Sequence, residues 1–210
     1  MTMADNDASQ GGADDIGGEH PGPFADEAGE VSVLLNRASK GELPPGELFE
    51  ALYSRLRALA GSHMRAERDG HSLGPTVLVH EAWMRLGSQD NADWKGAAHF
   101  FGAAGEAMRR TLVDHARRRG TKKRGGGLTR LPLDGLELVR IDDGDAVLAV
   151  DEALVKLQDF DERLARVVRL RFWAGLDEAE VADLLDLSPR TVRRDWKLAR
   201  AWLSRELERD

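Results

Sequence analysis

Apolar residues recur at spacings of three and four through most of the chain, and sustained strict alternation is absent. That periodicity predicts helices and no sheet. A helical pattern begins near Val31 with Leu34 and Leu35, then breaks at Gly41–Gly46, where Pro44 and Pro45 stand. Leu48, Phe49, Leu52, Tyr53, Leu56, Leu59 and Ala60 form the apolar face of a long amphipathic helix. A further helix is expected over Thr76–Leu86, then a polar loop over Gly87–Gly96 that carries Trp94. Another long helix is expected over Ala97–Arg119, with Phe100, Phe101, Ala104, Met108, Leu112 and Ala116 on its apolar side. The pattern fails from Gly120 to about Asp145, through Gly125–Gly127, Pro132 and Asp142–Asp145, which reads as a linker. Four more helices follow, near 147–158, 161–173, 177–186 and 188–206. The fold class expected is all-α: two small helical domains joined by a flexible linker. The boundaries are 1–29 for an acidic disordered tail, 30–120 for the first domain, 121–146 for the linker and 147–210 for the second domain.

The last two helices carry the sharpest local signal. Ser188 is placed to cap the final helix and Pro189 to be its first residue. Val192, Trp196, Ala199 and Leu203, spaced by four, three and four, make one buried stripe, while Arg190, Arg193, Arg194 and Lys197 fall on other faces. Ala182 is small where two helices approach closely, and Leu187 fills the turn between them. Asp186 stands where a helix-turn-helix often needs positive φ, a conformation that Asp tolerates better than most residues. A helix with arginines along the N-terminal half of its open face suits the DNA major groove. The bland alternative is a helical hairpin with solvated arginines.

The net charge of −7 argues against a nucleic-acid partner until its distribution is considered. Residues 1–30 hold eight acids and no Lys or Arg, whereas residues 108–130 hold nine bases against the single acid Asp114. Steering depends on local potential, which is screened beyond about 8 Å at physiological salt. The segment Met108–Arg119 is thus a second candidate DNA surface, and the acidic tail a candidate competitor for it. The chain has no cysteine, which removes disulfides, thiolate metal sites and cysteine nucleophiles. The acidic, polar N-terminus lacks the form of a secretory signal, no apolar run approaches a membrane span, and a cytoplasmic location is expected.

Other motifs carry little chemistry. Val79-His80-Glu81-Ala82-Trp83-Met84 has Met where a zinc protease needs its second His, so no metal site is expected. Gly102-Ala103-Ala104-Gly105 lies within a predicted helix and reads as close helix packing. Gly125–Gly127 lacks the lysine and hydroxyl of a phosphate loop. No nucleophile constellation, cofactor site or enzymatic activity is expected.

Three blocks, in this order, resemble the extracytoplasmic-function (ECF) type of bacterial RNA polymerase sigma factor, within a divergent ECF-like subgroup, over about residues 31–208. Leu78–Leu86 resembles the region 2 helix that docks on the polymerase clamp, with His80 where many members have Gln. Phe100–Arg119 resembles the helix that reads and melts the −10 element, with Arg110 where many members have Asn. Val181–Arg205 resembles region 4, whose second helix enters the major groove at the −35 element. The resemblance implies a sigma factor with no catalytic activity, whose partners are core RNA polymerase, promoter DNA and an anti-sigma factor. It implies polymerase contacts by Val79, His80, Glu81, Met84 and Arg85. It implies −10 contacts by Trp94, Arg109, Arg110, His115, Arg117 and Arg118. It implies −35 contacts by Ser188, Pro189, Arg190, Thr191, Arg193, Arg194 and Lys197. Asp142, Asp143 and Asp145 would then mimic nucleic acid as the linker threads the polymerase. The main rival is a stand-alone helix-turn-helix regulator, against which the absence of any receiver-like α/β pattern counts. A protein-binding helical adaptor leaves the arginines of both helices unexplained.

Overall fold

The computed structural model describes residues 28–64, 73–87, 94–120 and 144–208, and within these it is helical throughout, with no strand. The expected linker and acidic tail lie largely outside the described residues. The elements are α1 (Ala28–Ser39), α2 (Pro45–His63), α3 (Pro75–Gly87), α4 (Ala97–Gly120), α5 (Gly144–Phe160), α6 (Glu162–Val168), a π-turn (Arg169–Trp173), α7 (Glu178–Leu185) and α8 (Pro189–Leu207). Boundaries shift where proline sets them: α2 begins at Pro45 after an extended Pro44, earlier than the apolar stripe alone suggests. α5 begins at Gly144, inside the segment expected to be linker.

The expected stripes are the core. Leu48, Leu52, Leu56, Leu59 and Ala60 of α2 pack with Leu78, Val79, Ala82 and Leu86 of α3 and with the α4 face of Phe100, Phe101, Ala104, Met108 and Leu112. Phe49 meets Trp83 at 4.9 Å, and Trp94 meets Phe100 edge-on at 5.3 Å, which joins the loop before α4 to this core. In the second half Val147, Val150, Leu154 and Leu157 of α5 pack with Leu164, Ala165, Val167 and Val168 of α6 and with Val192, Ala199 and Leu203 of α8.

The two halves share one continuous core, because α5 packs along α4 and the π-turn seats on α4. The sequence predicts one helix over 161–173. Instead the α-helix gives way after Val168 to a π-turn, closed by Ala174 N–H donating to Arg169 O at 3.1 Å and followed by Gly175 at φ 68°. The wider turn carries Trp173, which is fully buried. The Trp173 carbonyl accepts a hydrogen bond from His63 Nε2 of α2 at 3.0 Å. His63 is buried against Phe172 and Trp173, and desolvation lowers its pKa to about 4 despite that hydrogen bond, so the ring is neutral at pH 7.

Candidate nucleic-acid interface

The helix-turn-helix is built by local rules that hold in detail. Asp177 caps α7 and forms a full capping box with Glu180, each side chain accepting from the other's backbone N–H at 2.8 Å. α7 ends on Asp186 in the left-handed conformation (φ 55°, ψ 50°), the positive-φ turn that the sequence suggests for this position. Ser188 Oγ then accepts from Thr191 N–H at 3.1 Å, and Pro189 opens α8. Val192, Trp196, Ala199 and Leu203 are buried as expected.

Each α-helical residue advances the side chain by about 100°, so Arg190, Arg193, Arg194 and Lys197 share one arc of roughly 100° on the far side of that stripe. All four are exposed. Arg193 Nε donates to Glu178 of α7 at 2.8 Å, an ion pair reachable by solvent. Of the other expected −35 residues, Pro189 lies exposed at the mouth of the helix. Ser188 and Thr191 share a hydroxyl–hydroxyl hydrogen bond of 2.8 Å, so both side chains shape the cap.

Asp195 was not anticipated. It is completely buried, with Arg163 Nε of α6 2.7 Å from Oδ2 as an ion pair and Arg194 reaching Oδ1 at 3.2 Å. The clue in the sequence is its register: Asp195 lies three residues after Val192 and four before Ala199, an acid on an apolar stripe. Arg171 and Arg200 lie over the ring of Trp196, at 5.8 and 5.9 Å from its centroid.

The six expected −10 residues are dispersed. Arg110 and Arg117 lie within about 20° of each other around α4, whereas Arg118 and His115 fall on its other sides. Arg110, Arg117 and Arg118 are exposed. Arg110 Nε donates to Glu106 at 2.8 Å, and Arg118 Nε donates to the Asp114 carbonyl at 3.1 Å. Trp94 is half-buried against His99 and Phe100.

Arg109 departs from the expected open position. Its side chain is only 14% exposed and is committed to Glu106 on its own helix and to Asp151 on α5. The Glu106 hydrogen bond raises the Arg109 pKa against the opposing effect of burial. In turn, burial pushes the Glu106 carboxyl up, but Arg109 and Arg110 outweigh it and hold the group below its ordinary range. Asp151 repeats the pattern of Asp195: an acid four residues after Val147 and three before Leu154, buried on a helix stripe.

The expected polymerase-binding residues divide in two. His80 and Met84 are exposed, Met84 to 74%, and Glu81 and Arg85 are partly exposed, with Arg85 donating to Asp114 of α4 at 2.7 Å. Val79 is fully buried in the core, because it lies on the α3 stripe with Leu78, Ala82 and Leu86, so its side chain presents no contact surface. Among the described residues no cluster of His, Asp and Glu is arranged to hold a metal ion, and no helix is long and apolar enough to cross a membrane.

The chain matches the family model described as ECF sigma factor over residues 28–209. No curated protein and no solved structure matches it. Membership implies a part in transcription initiation and partners drawn from core RNA polymerase, promoter DNA and anti-sigma factors; the family in general is not enzymatic. A match spanning every described helix, together with a capped helix-turn-helix and a second basic helix, identifies the chain as a member of the ECF sigma factor family.

Proposed function

We propose that the chain binds core RNA polymerase and directs initiation by reading two promoter elements, with α8 at −35 and α4 at −10. The observation that carries this reading is the face of α8: four basic side chains in one arc, opposite a buried apolar stripe, on a helix whose start is fixed by the Ser188 cap. Along the helix axis Arg190 and Lys197 stand at the two ends of this row, where phosphates at a major groove would meet them, and base edges would meet Arg193 or Arg194 between them. On α4, Arg110, Arg117 and Arg118 supply exposed charge for the −10 strand, and Arg109 joins them when freed from Asp151. Trp94, at the edge of the aromatic cluster beside α4, is a stacking platform for an unpaired base. His80, Glu81, Met84 and Arg85 form an exposed edge of α3 for the polymerase.

The test is to add the chain to core polymerase with a library of promoter fragments and map transcript starts. The expected result is a set of new starts that share two upstream sequence elements. Absence of binding to core would refute the reading, and tight operator binding by a dimer without polymerase would favour the stand-alone regulator.

A further inference from the structure

A buried acid lies behind the basic arc of α8. Asp195 is completely enclosed, although the residue before it, Arg194, has a side chain 64% exposed. A carboxylate withdrawn from water needs cations beside it. Here there are two, and they use different oxygens. Oδ1 accepts from both Nε and Nη2 of Arg194, at 3.3 and 3.2 Å. Oδ2 faces Nε of Arg163, on α6, at 2.7 Å. That second contact is an ion pair without an aligned hydrogen bond, so it holds the carboxylate by charge.

This arrangement decides what Arg194 has left to offer. A guanidinium carries five N–H donors in a fixed fork. Asp195 takes the edge formed by Nε and Nη2. The end formed by Nη1 and the remaining Nη2 proton is left over, and two donors side by side match O6 and N7 of guanine. An unrestrained arginine side chain is rotamer-rich and loses that freedom when it binds. Held along its inner edge, Arg194 meets a base already oriented. Arg193 is held differently, through Nε to Glu178 of α7, whose carboxylate is partly open to solvent. Such a pair is screened and readily exchanged. Asp195 is sealed beneath its own helix and is not.

We infer that Asp195 is a positioning residue that fixes Arg194 to read a guanine in the upstream promoter element, and that Arg163, on a different helix, strengthens that reading by fixing the Asp195 carboxylate. This rests on the proposed role of α8 at −35. A mere tie between α8 and α6 would cost stability when broken and leave base preference unchanged, so base preference is the quantity that separates the two roles.

The test uses the full chain with core polymerase on promoters randomised across the upstream element. The native chain is expected to prefer guanine, on one strand, by roughly tenfold or more at one position, and Arg194→Ala to abolish that preference. Asp195→Asn should reduce it about two- to tenfold, the cost of ordering one long side chain, with preferences elsewhere kept. In the Arg194→Ala background Asp195→Asn should change no preference, because it acts only through Arg194. Arg163→Gln should give a smaller loss at the same position. Its side chain is half-exposed, so it reports even where Asp195→Asn fails to fold. Arg166→Gln, an equal charge change at an exposed site of α6, should leave the relative preferences as they are. In the free chain, 15N relaxation should show a rigid Arg194 Nε–H that becomes mobile in Asp195→Asn. A mobile Nε–H in the native chain, or a guanine preference that survives both Asp195→Asn and Arg163→Gln, would overturn the positioning role and leave the sigma-factor reading standing. Initiation with no upstream preference at all would refute the reading of α8, and the positioning role with it.

Discussion

The two basic helices carry similar charge and are held in opposite ways. On α8 the arginines stand in one exposed arc, and the acids paired with Arg193 and Arg194 lie on the adjoining α7 and on the same helix. On α4 the arginines spread around the helix, and Arg109 is enclosed and paired to a residue 42 positions away. The comparison teaches that basic composition reports potential, whereas availability depends on which carboxylates the tertiary fold brings close. A surface ion pair yields readily to a phosphate, since such pairs contribute little in water. An enclosed pair yields only if its surroundings move.

Both helices owe this to the same device. Asp151 and Asp195 each stand on the buried stripe of a helix, and each is ion-paired to two arginines. Asp195 ties α8 to α6 within the second half and leaves the basic arc outward. Asp151 ties the second half to the first and draws Arg109 inward.

The largest expected effect tests how far the two halves stand or fall together. Trp173→Ala removes a fully buried indole at their seam and is expected to cost about 3–5 kcal/mol in urea unfolding. Hydrogen exchange in α4 and α8 should accelerate together, whereas acceleration in α8 alone would show that the halves are energetically separate.

Acidification is the next largest. The pKa of His63 is lowered from 6.5 to about 4, so its neutral form stabilises the packed state above pH 6.5 and that stabilisation is lost as pH falls from 6.5 towards 4. Between pH 7 and pH 5 the loss is about 2 kcal/mol, from about 1.4 kcal/mol per pKa unit. A His63→Gln chain is expected to lack this component, so an identical pH profile for the two would remove His63 from the account.

Arg194→Ala sharpens the contrast at the DNA. It should weaken use of the −35 element by about 1–3 kcal/mol if Arg194 reads a base, with the loss confined to one position of the element. Uniform weakening across sequences would assign it to phosphate, and unchanged transcription would take it out of the interface. The smallest effect is at the cap. Ser188→Ala should cost about 1 kcal/mol of stability, and hydrogen exchange should locate the fraying in the first turn of α8.

The legible parts of this molecule are those set by neighbours in sequence. The stripes of α2, α4 and α8, the Ser188 cap and the left-handed Asp186 follow from periodicity and backbone preference. The π-turn was not legible, because a wider turn adds one residue to the helical repeat without changing which residues are apolar. Gly105 announced a close approach, but its partner, the carbonyl of Trp173, is a long-range fact. The enclosure of Arg109 had the same origin: the sequence showed an arginine on a basic helix, and only the packing of α5 supplied Asp151. Val79 was misplaced for a simpler reason, since a motif match carried its role although its own periodicity put it in the core.

The central claim is that α4 and α8 read two separate elements of one promoter. Because the native chain has no cysteine, a DNA-cleaving reagent can be tethered at one chosen site, to Gly120→Cys at the end of α4 or to Leu198→Cys on the exposed side of α8. On a promoter found by start-site mapping, with core polymerase present, cleavage from the two tethers is expected in two clusters separated by about 25 base pairs, roughly 85 Å. Overlapping clusters within the roughly 20 Å that packed helices allow, or cleavage from only one tether, would contradict the claim.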